Sequence, residues 1–549
     1  MSAARPRASF DLPPAQPRWR SRAAVGGATL VLFLALAAAH TWPLATAPGR
    51  LSRNDNGDTV LHEWIMAWVV HQAATDPAHL FDANIFYPER HTLAYSDPLI
   101  VEAAMAAPLL GAGASPVVAY NVVLMLGLAL SGWTTCLVVQ RWTGRWLPGI
   151  LSGSLMAFNA FTLTVLPQIQ FLHLEFLPLA LLALDRLLQA PKARHAVLLA
   201  VWYVLEALTG NYLLVFTAIA LIVGTAVRPG DWLGSRFRAV APRALLAGGL
   251  AVAALAPFLY PYLEAHWEVG LVRTLEGAAT YSASLTDYLV AAGTWHFNHW
   301  SYVFLKGSAL FPGIAAMILV VASLLSRVAW RDRRARMLLG IGVVGFVLSF
   351  GPKVVVYRWL YYAFPLLAGI RAVDRFGELA LAAVAVLAGF GLAALMRRWR
   401  GRAALVLGLI SVAAVNAEAW RAPLAYTPFD GIPGIYHSLA NAGDNAIIVG
   451  FPFHGPAGNF QNTPLMLGST RFWRPLVNGY SGFNPPSFYE HVEHLQKFPD
   501  RASIDYLRQL GVTHIVVRWN FKGLPAMAAF PELRLWDADE AIRIYKLER

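Results

Sequence analysis

A single cysteine, Cys136, in 549 residues excludes an intrachain disulfide framework and any metal site built from several thiolates of one chain. Charge is scarce as well. Charged residues make up 14% of the chain and hydrophobic residues 57%, against ~25% charged in an average soluble domain. Runs of roughly 18 or more apolar residues recur, which reads as transmembrane helices rather than one oversized soluble core. Acidic residues are the scarcer sign, with Asp+Glu 32 against Lys+Arg 44 and a net charge of +12. The arginines are not interleaved with a stacking platform, so nucleic acid is not the expected partner. They form short clusters between apolar runs, the pattern of the positive-inside rule. A cleavable leader is not expected, because the first apolar run is too long and no small-residue cleavage site follows it. No internal repeat of fixed period is visible.

What is present reads in order as a polytopic α-helical membrane protein. Residues 1–22, rich in Pro and Arg, read as a disordered cytoplasmic tail. A first span at about 23–45 ends at Trp42-Pro43, and a long polar loop, 47–115, follows. Further spans are expected at about 117–139, 148–165, 169–188, 196–208, 212–227, 244–263, 309–325, 337–350, 379–395 and 403–419. That makes about eleven spans within a membrane domain of residues 23–420, a few of them short for a ~30 Å core. Residues 353–370, with Pro365, Arg358 and several aromatics, read as a re-entrant or interfacial segment. Arg141/Arg145, Arg186/Lys192/Arg194, Arg228/Arg236/Arg238/Arg243, Arg327/Arg331/Arg333/Arg334/Arg336 and Arg397/Arg398/Arg400/Arg402 sit in alternate, short loops, which are thereby assigned to the cytoplasm. The long first loop then faces out. So does the stretch 421–549, where apolar runs shorten to strand length and a small extracytoplasmic α/β domain is expected.

The first loop begins RLSRNDNGDTVLHEW and closes FDANIFYPERHTLAYSD. It holds Asp55, Asp58, Glu63, Asp76, Asp82, Glu89 and Asp97, and a long acidic loop on an oily chain has to be explained by what it binds or does. Within it, residues 59–75 have the spacing of an amphipathic helix, with Trp64 and Trp68 suited to the membrane interface. Polar residues of the spans gather at the outer ends: Asn121, Asn159, Gln168, Gln170, His173, Glu175, Glu206, Asn211, Tyr212, Glu264, Lys306, Glu378 and Glu418. Any one of them is an ordinary helix-end residue, but the one-sided bias implies a polar cavity opening outward beneath the first loop. Carboxylates and amides there suit sugar hydroxyls, which makes His173, Glu175, Asn211 and Tyr212 candidate substrate-binding residues. Arg371 and Arg375, in GIRAVDRFGEL, are candidates for a lipid phosphate, which arginine grips bidentately. His296 and His299 have metal-ligand spacing, but no third ligand accompanies them, so satisfied interfacial histidines are expected. The stretch PLVNGYSGFNPP, 475–486, reads as a glycan-binding loop over the cavity or as a structural turn.

A first span, an acidic outer loop, many spans with Arg-rich turns and an outer C-terminal domain together resemble the GT-C class of polyprenyl-phosphate-sugar-dependent glycosyltransferases. More narrowly, NDNGDT…FDANIFYPE, IRAVDRF and STRFWRPLVNGYSGFNPP resemble bacterial GT-C-like and YfhO-like membrane proteins. The resemblance implies a bacterial inner-membrane enzyme. It would move a sugar from a polyprenyl-phosphate donor to a glycan, lipid or protein acceptor outside the cytoplasm. It also implies a general base early in the first outer loop, the position of Asp58 and, second, Asp55. The adjacent Asp-Glu or Asp-x-Asp of several members is not found; the spacing here is Asp-x-x-Asp, which leaves the choice of base and any divalent-metal requirement open. No other cofactor is expected. Two other readings remain: a transporter or flippase of a lipid-linked glycan, which would show inverted repeats and midplane polar groups, and a non-catalytic envelope-assembly scaffold of the same fold.

Overall fold

A computed structural model describes residues 19–52, 57–271, 274–304, 307–364, 367 and 369–548. Asp55, Lys306, Pro365 and most of the expected 1–22 tail lie outside the described residues. The chain is mainly helical. Its first ten helices are α1 (Trp19–His40), α2 (Asp58–Thr75), α3 (Ile100–Gly111), α4 (Pro116–Thr143), α5 (Trp146–Ala157), α6 (Ala160–Thr164), α7 (Phe176–Gln189), α8 (Ala193–Thr209), α9 (Asn211–Ala226) and α10 (Phe237–Val269). Among the described residues six helical stretches are long and apolar enough to cross a membrane: Ala23–His40, Pro116–Thr143, Trp146–Thr164, Gly234–Val269, Val373–Arg398 and Gly401–Ala419. Ile100–Gly111, Asn211–Ala226 and Ile314–Leu325 are shorter apolar helices packed among them.

The helix α4 shows how the sequence builds these elements. Pro116 stands in the first turn, where a missing N–H costs nothing, and the Ser115 hydroxyl accepts from the Val118 N–H at 3.3 Å. Gly144, in the left-handed conformation, ends the helix. Against α4, α5 approaches so closely that a Cβ on Gly153 would collide with the Gly132 carbonyl oxygen. Small residues at such crossings let apolar helices make backbone-close contacts in a lipid environment.

Two expectations change. The span expected at 148–165 is present as Trp146–Thr164 with a break inside it, where α5 stops at Ala157 and Asn159 caps the short α6 by accepting from Thr162 N–H at 3.0 Å, and the span expected at 169–188 is shortened, because regular helix resumes only at Phe176. Pro167 has no N–H to continue a helix, and its carbonyl is instead taken by the His62 imidazole at 2.7 Å and the Tyr120 hydroxyl at 3.2 Å. The segment QIQFLHLE is therefore a connection, not a helix end. Second, α2 does not lie in an interface. It is buried on all sides from Thr59 to Val69, because later chain covers it: the Trp473 ring stacks on His71 at 4.2 Å and meets Trp68 at 5.9 Å.

That later chain is a mixed α/β structure. Strand β1 (Leu51–Ser52) pairs antiparallel with β2 (Thr427–Pro428), tying the first loop to the start of the C-terminal part. Strands β3 (Ile448–Phe451), β4 (His514–Arg518), β5 (Leu533–Ala538) and β6 (Ile542–Leu547) form a sheet in the order β3-β4-β6-β5. β3 and β4 are parallel, with Ile448 opposite His514, and the other pairs are antiparallel. Helices Pro486–Leu495 and Arg501–Gln509 cover the sheet with Phe488, Val492, Ile504 and Leu507 buried. The first loop docks here by backbone bonds: Leu476 N–H to Asn84 O at 2.9 Å, Tyr87 N–H to Leu476 O at 2.8 Å and Phe86 N–H to Asn478 O at 3.3 Å. His491 Nε2 donates to Tyr87 O at 2.9 Å across the same seam.

The opposite end of the helical body is held by ions. Arg228, 1% exposed, donates to Asp185 at 2.8 Å and Asp231 at 2.7 Å, while Arg334 reaches Asp185 at 3.0 Å and Arg333 reaches Asp231 at 3.1 Å. Tyr212 opens α9 and Arg228 lies just beyond its other end, so these ions sit ~24 Å from Tyr212.

Candidate active site

Asp58 is the first residue of α2, preceded by Gly57 at φ 88°. The glycine is needed twice, since L side chains disfavour that conformation and a Cβ there would stand 2.9 Å from the Phe460 Cβ. A carboxylate in the first turn also sits favourably at the positive end of the helix dipole. Its two oxygens receive donors from distant segments: Gln168 Nε2 donates to Oδ2 at 2.6 Å and the Tyr480 hydroxyl donates to Oδ1 at 2.7 Å. Gln168 comes from the connection before α7, and Tyr480 from the PLVNGYSGFNPP stretch.

One turn along α2, on the same face as Asp58, stands His62, which is 3% exposed. It lies within electrostatic reach of Asp58, Asp97 and Arg375 together. Burial pushes its imidazole below the ordinary value, against the pull of Asp58. Asp97 accepts from the Asn211 N–H at 2.7 Å and from Gln170 Nε2 at 2.8 Å. Burial raises its carboxyl above the usual range, opposed by the Asn211 N–H, His62, Arg375 and Gln170.

The cations arrive from the segment before the helix Gly377–Arg398. The Arg375 guanidinium lies over the Phe171 ring at 4.5 Å and the Tyr212 ring at 4.9 Å. The Tyr212 hydroxyl accepts from the backbone N–H groups of Arg371 at 3.3 Å and Ala372 at 3.0 Å, which fixes the loop that carries both arginines. Exposed Arg371 lies 5.1 Å over the Tyr281 ring and within electrostatic reach of Tyr480.

Asp58, Arg371, Arg375, Asn211 and Tyr212 thus belong to one constellation. His173 and Glu175 are elsewhere in the interior. The His173 ring meets Glu175 at 3.0 Å and donates from Nε2 to Val123 O at 3.1 Å, and Glu175 also accepts from the Ser131 hydroxyl at 3.3 Å. They are partnered with each other and with α4 rather than lining the Asp58 group. His62, Asp97 and Tyr480 are the members that sequence reasoning did not single out. Among the described residues no group of three or more His, Cys, Asp or Glu side chains is arranged to hold a metal ion. His299 Nδ1 donates to Trp295 O at 2.7 Å, and His296 Nε2 stands 3.7 Å from Glu418. A cavity of about 470 Å³ lies at the arginine-rich end, bounded by Arg145, Arg397, Trp399 and Arg400. At the Asp58 end the side chains close on one another through the hydrogen bonds just given.

No protein-family model matches the chain, and no curated protein matches its sequence. Solved structures do resemble it. Arabinofuranosyltransferase AftD from Mycobacteria aligns with a TM-score of 0.60 at 16% identity, covering 96% of this chain and 40% of that one. The oligosaccharyltransferase of Archaeoglobus fulgidus, in complex with Zn and sulfate, aligns with a TM-score of 0.52 at 13% identity, covering 92% of this chain and 70% of that one. These neighbours are GT-C glycosyltransferases, and the chain shares their fold. This chain spans less than half the length of the AftD chain.

Proposed function

We propose that this protein is a membrane glycosyltransferase that moves a sugar from a polyprenyl-phosphate donor to an acceptor hydroxyl, with Asp58 as general base and Arg371 and Arg375 holding the lipid phosphate. One observation carries the reading. The first-loop carboxylate and the two late guanidiniums, more than 300 residues apart in sequence, meet on one short connection and its neighbour: Gln168 donates to Asp58 at 2.6 Å, Phe171 lies 4.5 Å under Arg375, and Tyr212 holds the Arg371 N–H at 3.3 Å. In the transfer, the acceptor O–H gives its proton to an Asp58 oxygen and its electron pair to the anomeric carbon. The bond from that carbon to the phosphate oxygen breaks, and its electrons leave with the lipid phosphate. Arginines placed against that oxygen stabilise the charge as it grows. Asp97, with Gln170 and the Asn211 N–H already ordering it, offers a second carboxylate for sugar hydroxyls. The site faces the outer side of a bacterial inner membrane, since the arginine-rich loops lie at the other end.

The test is transfer by purified protein in lipid nanodiscs, from radiolabelled short-chain polyprenyl-phosphate pentoses and hexoses to octyl glycosides. Asp58→Asn is expected to lower kcat about 10²–10⁴-fold, the usual worth of a general base. Full activity in that variant removes Asp58 from the role; no transfer by the wild type from any donor removes the reading itself.

A further inference from the structure

In the arrangement described, the Asp58 oxygen that faces the C-terminal part accepts a protein hydroxyl. The Tyr480 O–H points at Asp58 Oδ1 from 2.7 Å, the geometry and the donor type that an acceptor sugar hydroxyl would bring. We propose that Tyr480 is an acceptor-positioning residue, whose phenol holds on Asp58 Oδ1 the place that the acceptor hydroxyl takes during transfer. The proposal rests on the glycosyl-transfer reading given above.

Three features support the exchange. Tyr480 can act here as a donor alone: burial, with Asp58 beside it, pushes its phenol far above the ordinary value, so it remains a neutral O–H like the substrate group it stands for. The partner on the other oxygen is of a different kind. Gln168 sits 2.6 Å from Oδ2 in a connection tied down at Pro167 by His62 and Tyr120, so it can hold the carboxylate while Oδ1 changes partner. Finally, the backbone under Tyr480 is fixed but its side chain is half-exposed. Asn462 donates to Gly479 O at 3.0 Å, Asn478 bonds both N–H and O of Gly450, and Gly479 packs so tightly on Phe86 that a Cβ would meet the ring at 2.6 Å. Exchange is therefore a rotation of one phenol, not a movement of the C-terminal part. The residues that follow suit a sugar. Phe483 stands against Tyr95 at 5.4 Å with its ring half-exposed, and the Asn484 amide oxygen accepts from Asn459 at 2.9 Å. The acceptor thus enters between Asp58 and the 480–484 loop, and its class is a carbohydrate hydroxyl.

Tyr480→Phe tests this with two readouts, one independent of activity. Carbodiimide-driven coupling of glycine ethyl ester to Asp58, followed by mass spectrometry of the protein in nanodiscs, should run several-fold faster in the variant. Coupling at the wild-type rate overturns the proposal. In the transfer assay the KM for an octyl glycoside should fall about threefold or more, since a competing donor to a charged oxygen is gone, while the KM for the lipid-phosphate donor stays put. An unchanged acceptor KM also overturns it. Should Tyr480→Phe melt below the wild type, Tyr480→3-fluorotyrosine keeps the shape and strengthens the donor, and the acceptor KM must then rise. Loss of activity in Asp58→Asn beside an unresponsive Tyr480→Phe defeats the Tyr480 proposal alone; a wild type inert to every donor defeats the transferase reading, and the coupling rates still judge the contact.

Discussion

Arg375→Lys separates what a charge does at this site from what a planar guanidinium does. Lysine keeps the positive charge, and with it the attraction to Asp97 and Asp374. Two things are lost. The first is the stack on Phe171 at 4.5 Å and Tyr212 at 4.9 Å. At a half-exposed position each such contact is worth ~0.5–1 kcal/mol, so folding stability should drop by ~1–2 kcal/mol. The second is the fork that, in the proposed function, engages two phosphate oxygens at once. One charge-assisted hydrogen bond is worth ~1.5–3 kcal/mol, which converts to a ~10–150-fold fall in kcat/KM for the lipid-phosphate donor. The acceptor KM should not move, because the acceptor is placed by Asp58 and its neighbours. Melting in detergent and donor-dependent transfer kinetics give both quantities. A lysine variant within threefold of wild type in donor kcat/KM refutes the bidentate role. One that melts with the wild type refutes the stack.

Two further changes probe the body that positions the site. Arg228→Met leaves Asp231 with Arg333 and Asp185 with Arg334 as their remaining cations; breaking a buried pair from one side costs ~3–5 kcal/mol. Thermal unfolding should show that loss, with part of it recovered in the Arg228→Met, Asp185→Leu double variant, and a single variant as stable as wild type ends the argument. Asp97→Asn probes pH. Burial, against the Asn211 N–H, His62, Arg375 and Gln170, raises the Asp97 carboxyl above 3.8. A raised folded value gives stability that is complete below pH 3.8 and lost as pH climbs through the folded value. The asparagine has no such loss, so its melting temperature should gain on wild type from pH 4 towards pH 7; a gap that stays flat across that range contradicts the assignment.

Much of the site was legible because charge stands out in an oily chain. Asp58, Arg371 and Arg375 could be named without coordinates, since a carboxylate early in a polar loop and paired arginines before an apolar helix have few other uses in a membrane protein. Asp97 could not be separated from the six other acids of its loop, because nothing local says which carboxylate a distant Asn211 N–H will receive. His62 did carry a signal, its place one helical turn from Asp58. The interruption at Pro167 was legible too, as a residue that cannot donate within a helix. Equal spans were a weaker expectation: α7, with 14 residues, is ~21 Å long and α10, with 33, is ~50 Å, so hydropathy marks the oily stretches without measuring each crossing.

The reading of α2 shows most clearly why the rest was hidden. VLHEWIMAWVV is apolar apart from His62 and Glu63, with apolar residues all round the helix, and such a helix is normally enclosed rather than floated in an interface. What encloses it is chain lying some four hundred residues later. Trp64, Phe86 and Tyr95 of the first loop share one continuous core with Phe453, Phe488 and Ile515 of the C-terminal part. The Asp58–Tyr480 bond spans 422 positions at the edge of that core. A contact of that separation has no periodicity or spacing to betray it; it follows from which apolar faces are left over once every local element has formed. Asp58 therefore inherits its geometry from a hydrophobic seam. The tightness of that seam at Gly57 and Gly479 fixes the backbone on both sides of the Tyr480–Asp58 bond, so the phenol is the part that can turn.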